Sequence, residues 1–259
     1  MMKSIDYNVQ RTNLYEQIAE NLEKAILSSS TAVAQRLPSE QELARQFNVS
    51  RTVIREALKI LRERGLITQK NGGGSYVSKP NIDVVSNAIN RLVCMENIDN
   101  DNLHTMRIIL EVAAGRLAAE HADEEDFAHL QRIIDSMRDR SLDIDERIMK
   151  DAEFHITTAR ASGNELLARF VEVMTILLHD YMAKGSLVLG GINDALLRHG
   201  NVLDALRTRD PDIAEKAIRD HLIASRKSVE KYDSMQQEEK IENGVADFVA
   251  KHTIKEETT

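Results

Sequence analysis

With 259 residues and 42% hydrophobic content, the chain can bury the cores of two domains. It holds no apolar run of membrane-spanning length and no secretory signal, and its single cysteine, Cys94, rules out an internal disulfide, so a cytoplasmic protein is expected. The net charge of −8 is unevenly spread: residues 1–78 carry 11 Lys and Arg against 8 Asp and Glu, a balance of +3, and the remainder carries −11. A polyanion-binding surface therefore belongs to the N-terminal part, and so modest an excess implies that two copies act together as a homodimer.

The first predicted helix places Leu14, Ile18, Leu22 and Ile26 at four-residue spacing on one face. After it Pro38 halts the chain, and Ser39 with Glu42 forms an S-x-x-E capping box that opens a second helix. Asn48 suits a left-handed turn, and Ser50 suits the cap of a third helix. On that helix, at about 100° per residue, Arg51, Thr52, Arg55, Lys59 and Arg62 share a quarter-turn, and Val53, Ile54, Ala57, Leu58 and Leu61 take another arc. One face fits a protein core and the other an anionic surface, as a recognition helix requires. An ordinary surface helix with a solvated charged face would give the same pattern. The next segment of chain separates the two, because residues 66–78 read as two short strand-like runs around a glycine cluster, a hairpin signal. Helix–turn–helix plus hairpin is a winged-helix DNA-binding domain. In it Ser50 opens the reading helix, and Arg51, Thr52 and Arg55 enter the major groove. Asn71 and Gly72 sit at the wing tip near the minor groove or its phosphates, and Lys70 contacts phosphate. Ser39, Glu40 and Gln41 meet the DNA backbone, helped by the free amides of a helix N-terminus.

Residues 78–81 read as a linker, with Pro80 ending any strand. Beyond Pro80 only Gly115 interrupts the helical pattern as far as 162. Helices are expected near 82–95, 99–121, 123–139, 143–161, 164–186, 190–208 and 211–231, the last capped by Asp210 with Pro211 at its first position. The expected fold is mainly α: a winged helix-turn-helix of three helices and a β-hairpin over 1–78, a linker over 79–81, and an all-α bundle of six or seven helices over 82–231. Residues 232–259, rich in Glu, Gln, Lys and Thr, read as a mobile tail with a short helix near 245–249.

Eight histidines are present, and three stand where chemistry is plausible. Asp151 and His155 lie one turn apart on a single helix face. His199 shares a face with Leu196, Leu203 and Leu206, and His221 shares one with Ala214, Ala217 and Ile218. These side chains point inward, where a neutral imidazole needs a partner. Each alone fits a hydrogen-bonded core histidine; they form a metal site only if they converge, which spacing does not reveal. Arg107 lies on the stripe of Leu103, Leu110 and Ala114 and needs an anion there. That anion is Glu111 at i+4 or the carboxylate of a bound small acid, and the two are compatible. His104, His121, His129, His179 and His252 read as surface or structural residues.

Residues 12–78 resemble the winged-helix domain of GntR-family transcription regulators, whose pattern runs LPSE-x-ELA-x-x-x-x-VSR-x-x-V/I-R-x-AL-x-x-L-x-x-x-GL. It is matched at 37–40, 42–44, 49–51, 54–55, 57–58, 61 and 65–66. The chain departs at Gln41, where many members carry an arginine that touches phosphate, and at Ala34-Gln35, where a Pro-Gly turn is usual. Residues 82–231 resemble the helical effector-binding and dimerisation domain, of the FCD type, of the FadR subfamily. In many of its members an Asp-x-x-x-His pair and two later histidines bind a divalent metal inside the bundle. Asp151, His155, His199 and His221 match those positions, as does Asn164, whereas Arg198 stands where an acidic residue is usual. The resemblance implies zinc, with nickel, manganese or iron as alternatives. It also implies a small carboxylate effector, a sugar acid or hydroxy acid, between the ion and Arg107, where family members use an arginine. The resulting expectation is a dimeric, ligand-responsive repressor of operator DNA, not an enzyme. Two rivals use the same ligands. One is a metal-dependent enzyme, for which neither a general base nor H-E-x-x-H is readable, and the other is a sensor for which the ion itself is the signal.

Overall fold

The computed structural model describes residues 13–28, 34–70, 74–79, 81–139, 141–188 and 190–253, without the side chains of Lys70 and of 239–253. Asn71 and Gly72, expected at the wing tip, and the side chains of Lys70 and His252 thus lie outside the described residues. Backbone contacts divide the chain into two units, Met1–Asn87 and Ala88–Thr259.

In the first unit α1 (Leu14–Ser28), α2 (Glu40–Gln46) and α3 (Arg51–Glu63) precede β1 (Ile67–Lys70) and β2 (Gly74–Val77). Ser39 opens α2 by the expected box: its hydroxyl accepts from the Glu42 amide at 3.2 Å, and its amide donates to the Glu42 carboxylate at 2.7 Å. Asn48 takes φ 53° in the turn, and Ser50 caps α3 by accepting from the Val53 amide at 3.4 Å. Past the end of α3, Gly65 adopts φ 72°, which lets the Leu66 amide reach back to the Leu61 carbonyl at 2.9 Å. That turn delivers Leu66 and Ile67 to a core made with Ile18, Leu22, Leu43, Ile54, Ala57, Leu58 and Leu61. Leu14, expected on the buried face of α1, is 51% exposed; as the first helical residue it overhangs the core, and Tyr15 packs there instead.

The two strands pair antiparallel, Ile67 opposite Val77 and Lys70 opposite Gly74. The other edge of β2 is not left open. The Val77 amide donates to the Gln35 carbonyl and the Ala34 amide to the Val77 carbonyl, both at 2.8 Å. This pairing fixes Ala34 at φ 75°, in the left-handed region that favours glycine. An alanine held there carries backbone strain.

The division between the units falls within α4 (Ile82–Met95). It is followed by α5 (Asn100–His121), α6 (Glu124–Met137), α7 (Ile144–Arg160), α8 (Glu165–Leu177), α9 (His179–Ser186), α10 (Gly191–Arg207) and α11 (Pro211–Thr253). Side-chain caps set several starts: Asp99, Asp123, Asp143 and Asn164 each accept from an amide of the first turn. Asp210 accepts from the Asp212 and Ile213 amides, with Pro211 first in the helix as expected.

Two expectations fail, and eight helices are described from α4 onward in place of six or seven. The helix expected over 164–186 breaks at Leu178, which has φ −99° and ψ 6° and is fully buried. No Pro or Gly stands at or beside Leu178, so the sequence carries no sign of the break. The last helix does not end at 231 but continues to Thr253, so the segment expected as a mobile tail is helical that far. Residues 232–253 contain no Pro and one Gly, Gly244, so nothing stops the helix.

Helix α5 packs against α7, α8, α10 and α11. Helices α5 and α11 touch at Gly115, where a Cβ would lie 1.9 Å from Ile218 Cδ1, so the isoleucine side chain fills the space that glycine leaves. On its N-terminal side α5 buries His104, Arg107 and Glu111. Among the described residues no helix is long and apolar enough to cross a membrane.

Candidate functional site: an exposed cationic face and a buried polar cluster

On α3, Arg51, Thr52, Arg55, Lys59 and Arg62 are all exposed, and Ile54, Ala57, Leu58 and Leu61 are buried, so the two arcs read from spacing are the two faces of the helix. Two of the cations are held. Arg55 Nε lies 2.8 Å from Glu40 Oε2, and Arg62 Nη1 donates to Gln69 Oε1 at 2.8 Å, tying α3 to β1. Exposed pairs of this kind add little stability, about 0–1 kcal/mol, so their effect is on orientation. Glu40, expected against the DNA backbone, turns its carboxylate to Arg55, and the Ser39 hydroxyl is committed to Glu42. Gln41 is exposed.

Inside the second unit the tertiary structure supplies the convergence that spacing left open. His155 from α7, His199 from α10 and His221 from α11 are buried and offer ligand atoms within 4.8 Å of one another. Asp151, one turn before His155, stands beside them, with Oδ1 3.3 Å from His199 Nε2 and Oδ2 3.7 Å from His155 Nε2. Arg107 joins the cluster through Glu111. Its Nε donates to Glu111 Oε1 at 2.5 Å, and Glu111 Oε2 lies 2.6 Å from His155 Nδ1.

Burial would raise the Glu111 carboxyl, but Arg107 and His155 outweigh it and hold the group at about 2. Burial would likewise raise Asp151; His199 and His155 hold it well below the usual carboxylate range. Burial pushes His199 down and His221 further, with Asp151 opposing in both cases. Charged carboxylates and neutral imidazoles are the protonation states in which these groups bind metal. An ionised Glu111 only accepts, so His155 Nδ1 carries the proton, and in a neutral ring that leaves Nε2 bare, 3.2 Å from His221 Nε2.

Among the described residues, the buried side-chain atoms without a hydrogen-bond partner fall on four residues. They are both ring nitrogens of His104 and of His199, His221 Nδ1, and Nη1 and Nη2 of Arg107. His199 Nε2 is near Asp151 but outside hydrogen-bond geometry. Native interiors leave few such atoms, and each one points to something that fills its place. The donor set fits a divalent ion: three imidazoles and a carboxylate, with His221 and Asp151 atoms 3.2 and 3.7 Å from His155 Nε2 and all three imidazoles within 4.8 Å of one another, near the roughly 3–4 Å expected for ligands about 2 Å from a common centre. Arg107 resolves its open alternative in part, since Nε is satisfied by Glu111 and the two Nη atoms are not.

Two members of the cluster escape a reading of the sequence. Spacing marks Glu111 as a partner of Arg107 but not as the carboxylate that fixes the His155 ring. His104, read as surface or structural, is 0% exposed and lies three residues before Arg107 on the same helix. That i, i+3 relation to Arg107 was the available signal.

Residues 14–77 match the family model "Bacterial regulatory proteins, gntR family", and residues 102–224 match the FCD domain. The chain is 32% identical over 225 residues to the HTH-type transcriptional repressor NanR of Cronobacter sakazakii, covering 82% of this chain and 84% of that protein. It is 32% identical, with the same coverage, to the repressor of that name from Salmonella newport. Among solved structures, Streptococcus agalactiae GntR aligns with a TM-score of 0.67 at 26% identity, covering 83% of this chain and 100% of that one.

Proposed function

We propose that this chain, which belongs to the gntR family of bacterial regulatory proteins and carries an FCD domain, is a dimeric transcription repressor of the cytoplasm whose operator binding is changed by a small carboxylate metabolite. The effector is a sugar acid or hydroxy acid held between Arg107 and a divalent ion, zinc before nickel, manganese or iron. Asp151, His155, His199 and His221 would hold the ion, which supplies Lewis-acid affinity for an oxygen ligand. Arg51, Thr52 and Arg55 read base edges, and Ser50 sets the start of their helix. Glu40 aims Arg55, and Gln41 with Lys70, Asn71 and Gly72 meets the backbone and groove edges. That the relatives are named transcriptional repressors supports a regulator over a metal-dependent enzyme.

The observation that carries the effector reading is Arg107. It is 1% exposed, yet Nη1 and Nη2 have no partner. A guanidinium fork left open inside a core matches a carboxylate. Purified protein is expected to carry about one divalent ion per chain by elemental analysis. An acid that binds should shift operator affinity about 5- to 150-fold. Arg107→Gln should retain the ion and lose that response; a variant that responds like wild type overturns the reading.

One observation favours a second reading, the ion as the signal. The cavity lined by Glu111, His155 and His221 measures about 10 Å³, room for an ion or one water. Operator affinity that switches with metal alone, and ignores acids, selects the sensor.

A further inference from the structure

With an ion on the triad and a carboxylate on Arg107, one member of the unpartnered set is still unexplained. His104 is fully buried, and neither ring nitrogen has a hydrogen-bond partner. It shares a face of α5 with Arg107, three residues on, which places their Cβ atoms about 5–6 Å apart. The Leu222 backbone lies near the ring without reaching hydrogen-bond geometry, and Tyr181 of α9 tilts against it with centroids 6.2 Å apart. An apolar side chain of similar size would leave no polar atom unpaired there, so folding alone does not account for an imidazole.

We propose that His104 selects the effector, its ring hydrogen-bonding a hydroxyl of a hydroxylated monocarboxylic acid whose carboxylate lies on Arg107. The inference rests on the carboxylate reading of Arg107 and adds the residue that recognises the hydroxyl of the acid. Two arguments set the class of that acid. Burial, then the Arg107 charge, pushes His104 below its ordinary value, so near pH 7 the ring is neutral and presents one donor and one acceptor. A hydroxyl complements that pair, whereas a second carboxylate would need a cation. The charges agree: a divalent ion with Arg107, Glu111 and Asp151 leaves one positive charge over. One carboxylate closes the balance, and a second would bury uncompensated negative charge.

The test is calorimetric titration of the full-length, zinc-loaded protein with gluconate, 3-hydroxybutyrate, butyrate and succinate. Wild type is expected to bind the better hydroxylated acid at least about tenfold more tightly than butyrate, with succinate weakest. His104→Leu should bring that ratio to near one, leave butyrate affinity in place, and raise the melting temperature of the metal-free protein. His104→Gln, which keeps a donor and an acceptor, should retain part of the ratio. The proposal is overturned if His104→Leu keeps the wild-type ranking, or if it lowers the melting temperature without touching the ranking, which marks a structural imidazole. Arg107→Gln separates the two readings. If it weakens all acids while His104→Leu changes nothing, the carboxylate reading survives and this one falls. If it leaves butyrate affinity unchanged, or if no acid binds wild type, the carboxylate reading falls first and takes this one with it.

Discussion

Around α3 the cationic side chains stand in solvent over an apolar core, whereas the helical unit encloses an arginine, a glutamate and four histidines among its helices. Among the described residues of the head, no buried side-chain nitrogen or oxygen is left without a partner, α2 and α3 are capped, and the ligand proposed for it is a polyanion outside it. The helical unit is incomplete as folded, because atoms of His104, Arg107, His199 and His221 have no partner. Each such group costs about 1–3 kcal/mol until something meets it. The lesson is that ligands should act on the two units through different observables. DNA binding should respond steeply to salt with little change in the head's own stability, and ligands of the bundle should show first as stabilisation.

The largest effect expected is removal of the ion. At metal 1,000-fold above its dissociation constant, linkage predicts about 4 kcal/mol of stability lost to a chelator, read by urea unfolding of the helical unit. His199→Ala should lose the same amount and become insensitive to chelator; equal stability of wild type with and without chelator would erase the contrast between the units. Next, Leu61→Ala should destabilise the head by about 2–5 kcal/mol by cavity formation and abolish DNA binding. Its metal content should not change, and loss of the ion in this variant would mean that the two units do not fold independently.

The charged face gives smaller and sharper effects. Arg55→Ala should cost about 1–3 kcal/mol of specific operator affinity. Glu40→Gln should leave affinity for random DNA equal or higher and lower the preference for operator, because it releases Arg55 and removes a negative charge near phosphate. If both variants lose random and operator DNA alike, the Glu40–Arg55 pair does not orient a reading residue. Ala34→Gly should stabilise the head by about 1 kcal/mol, since glycine accepts φ 75° without strain.

The smallest effect is a pH dependence. His104 is depressed by burial and by Arg107, with Arg226 adding and the Leu222 backbone and Glu111 opposing. The unfolded chain therefore takes up this proton first as pH falls, and stability drops below about pH 6.5, with a slope of at most about 1.4 kcal/mol per pH unit. His104→Leu lacks that term, so in metal-free protein its advantage over wild type should widen from about pH 7.5 to about pH 5. A constant gap across that range would mean that the ring is not held neutral.

The amino-acid sequence by itself determined most of the head, because its signals are local. Ser39 with Glu42, Asn48, Ser50 and Gly65 each act within one turn of chain, and the two arcs of α3 follow from helix geometry alone. Asp210 with Pro211 marked the start of α11 for the same reason. Tertiary structure decided whatever depends on separate elements meeting. It brought His155, His199 and His221 together from three helices, set Glu111 between Arg107 and His155, and buried His104 against α9. It broke a helix at Leu178, where no Pro or Gly marks a break, and paired residues 34–37 with β2, where the turn before them gave no strand signal. A helix face announces which residues point inward through a period of 3.6 residues, but which inward residues face each other is set by how helices cross, and no short-range spacing encodes that.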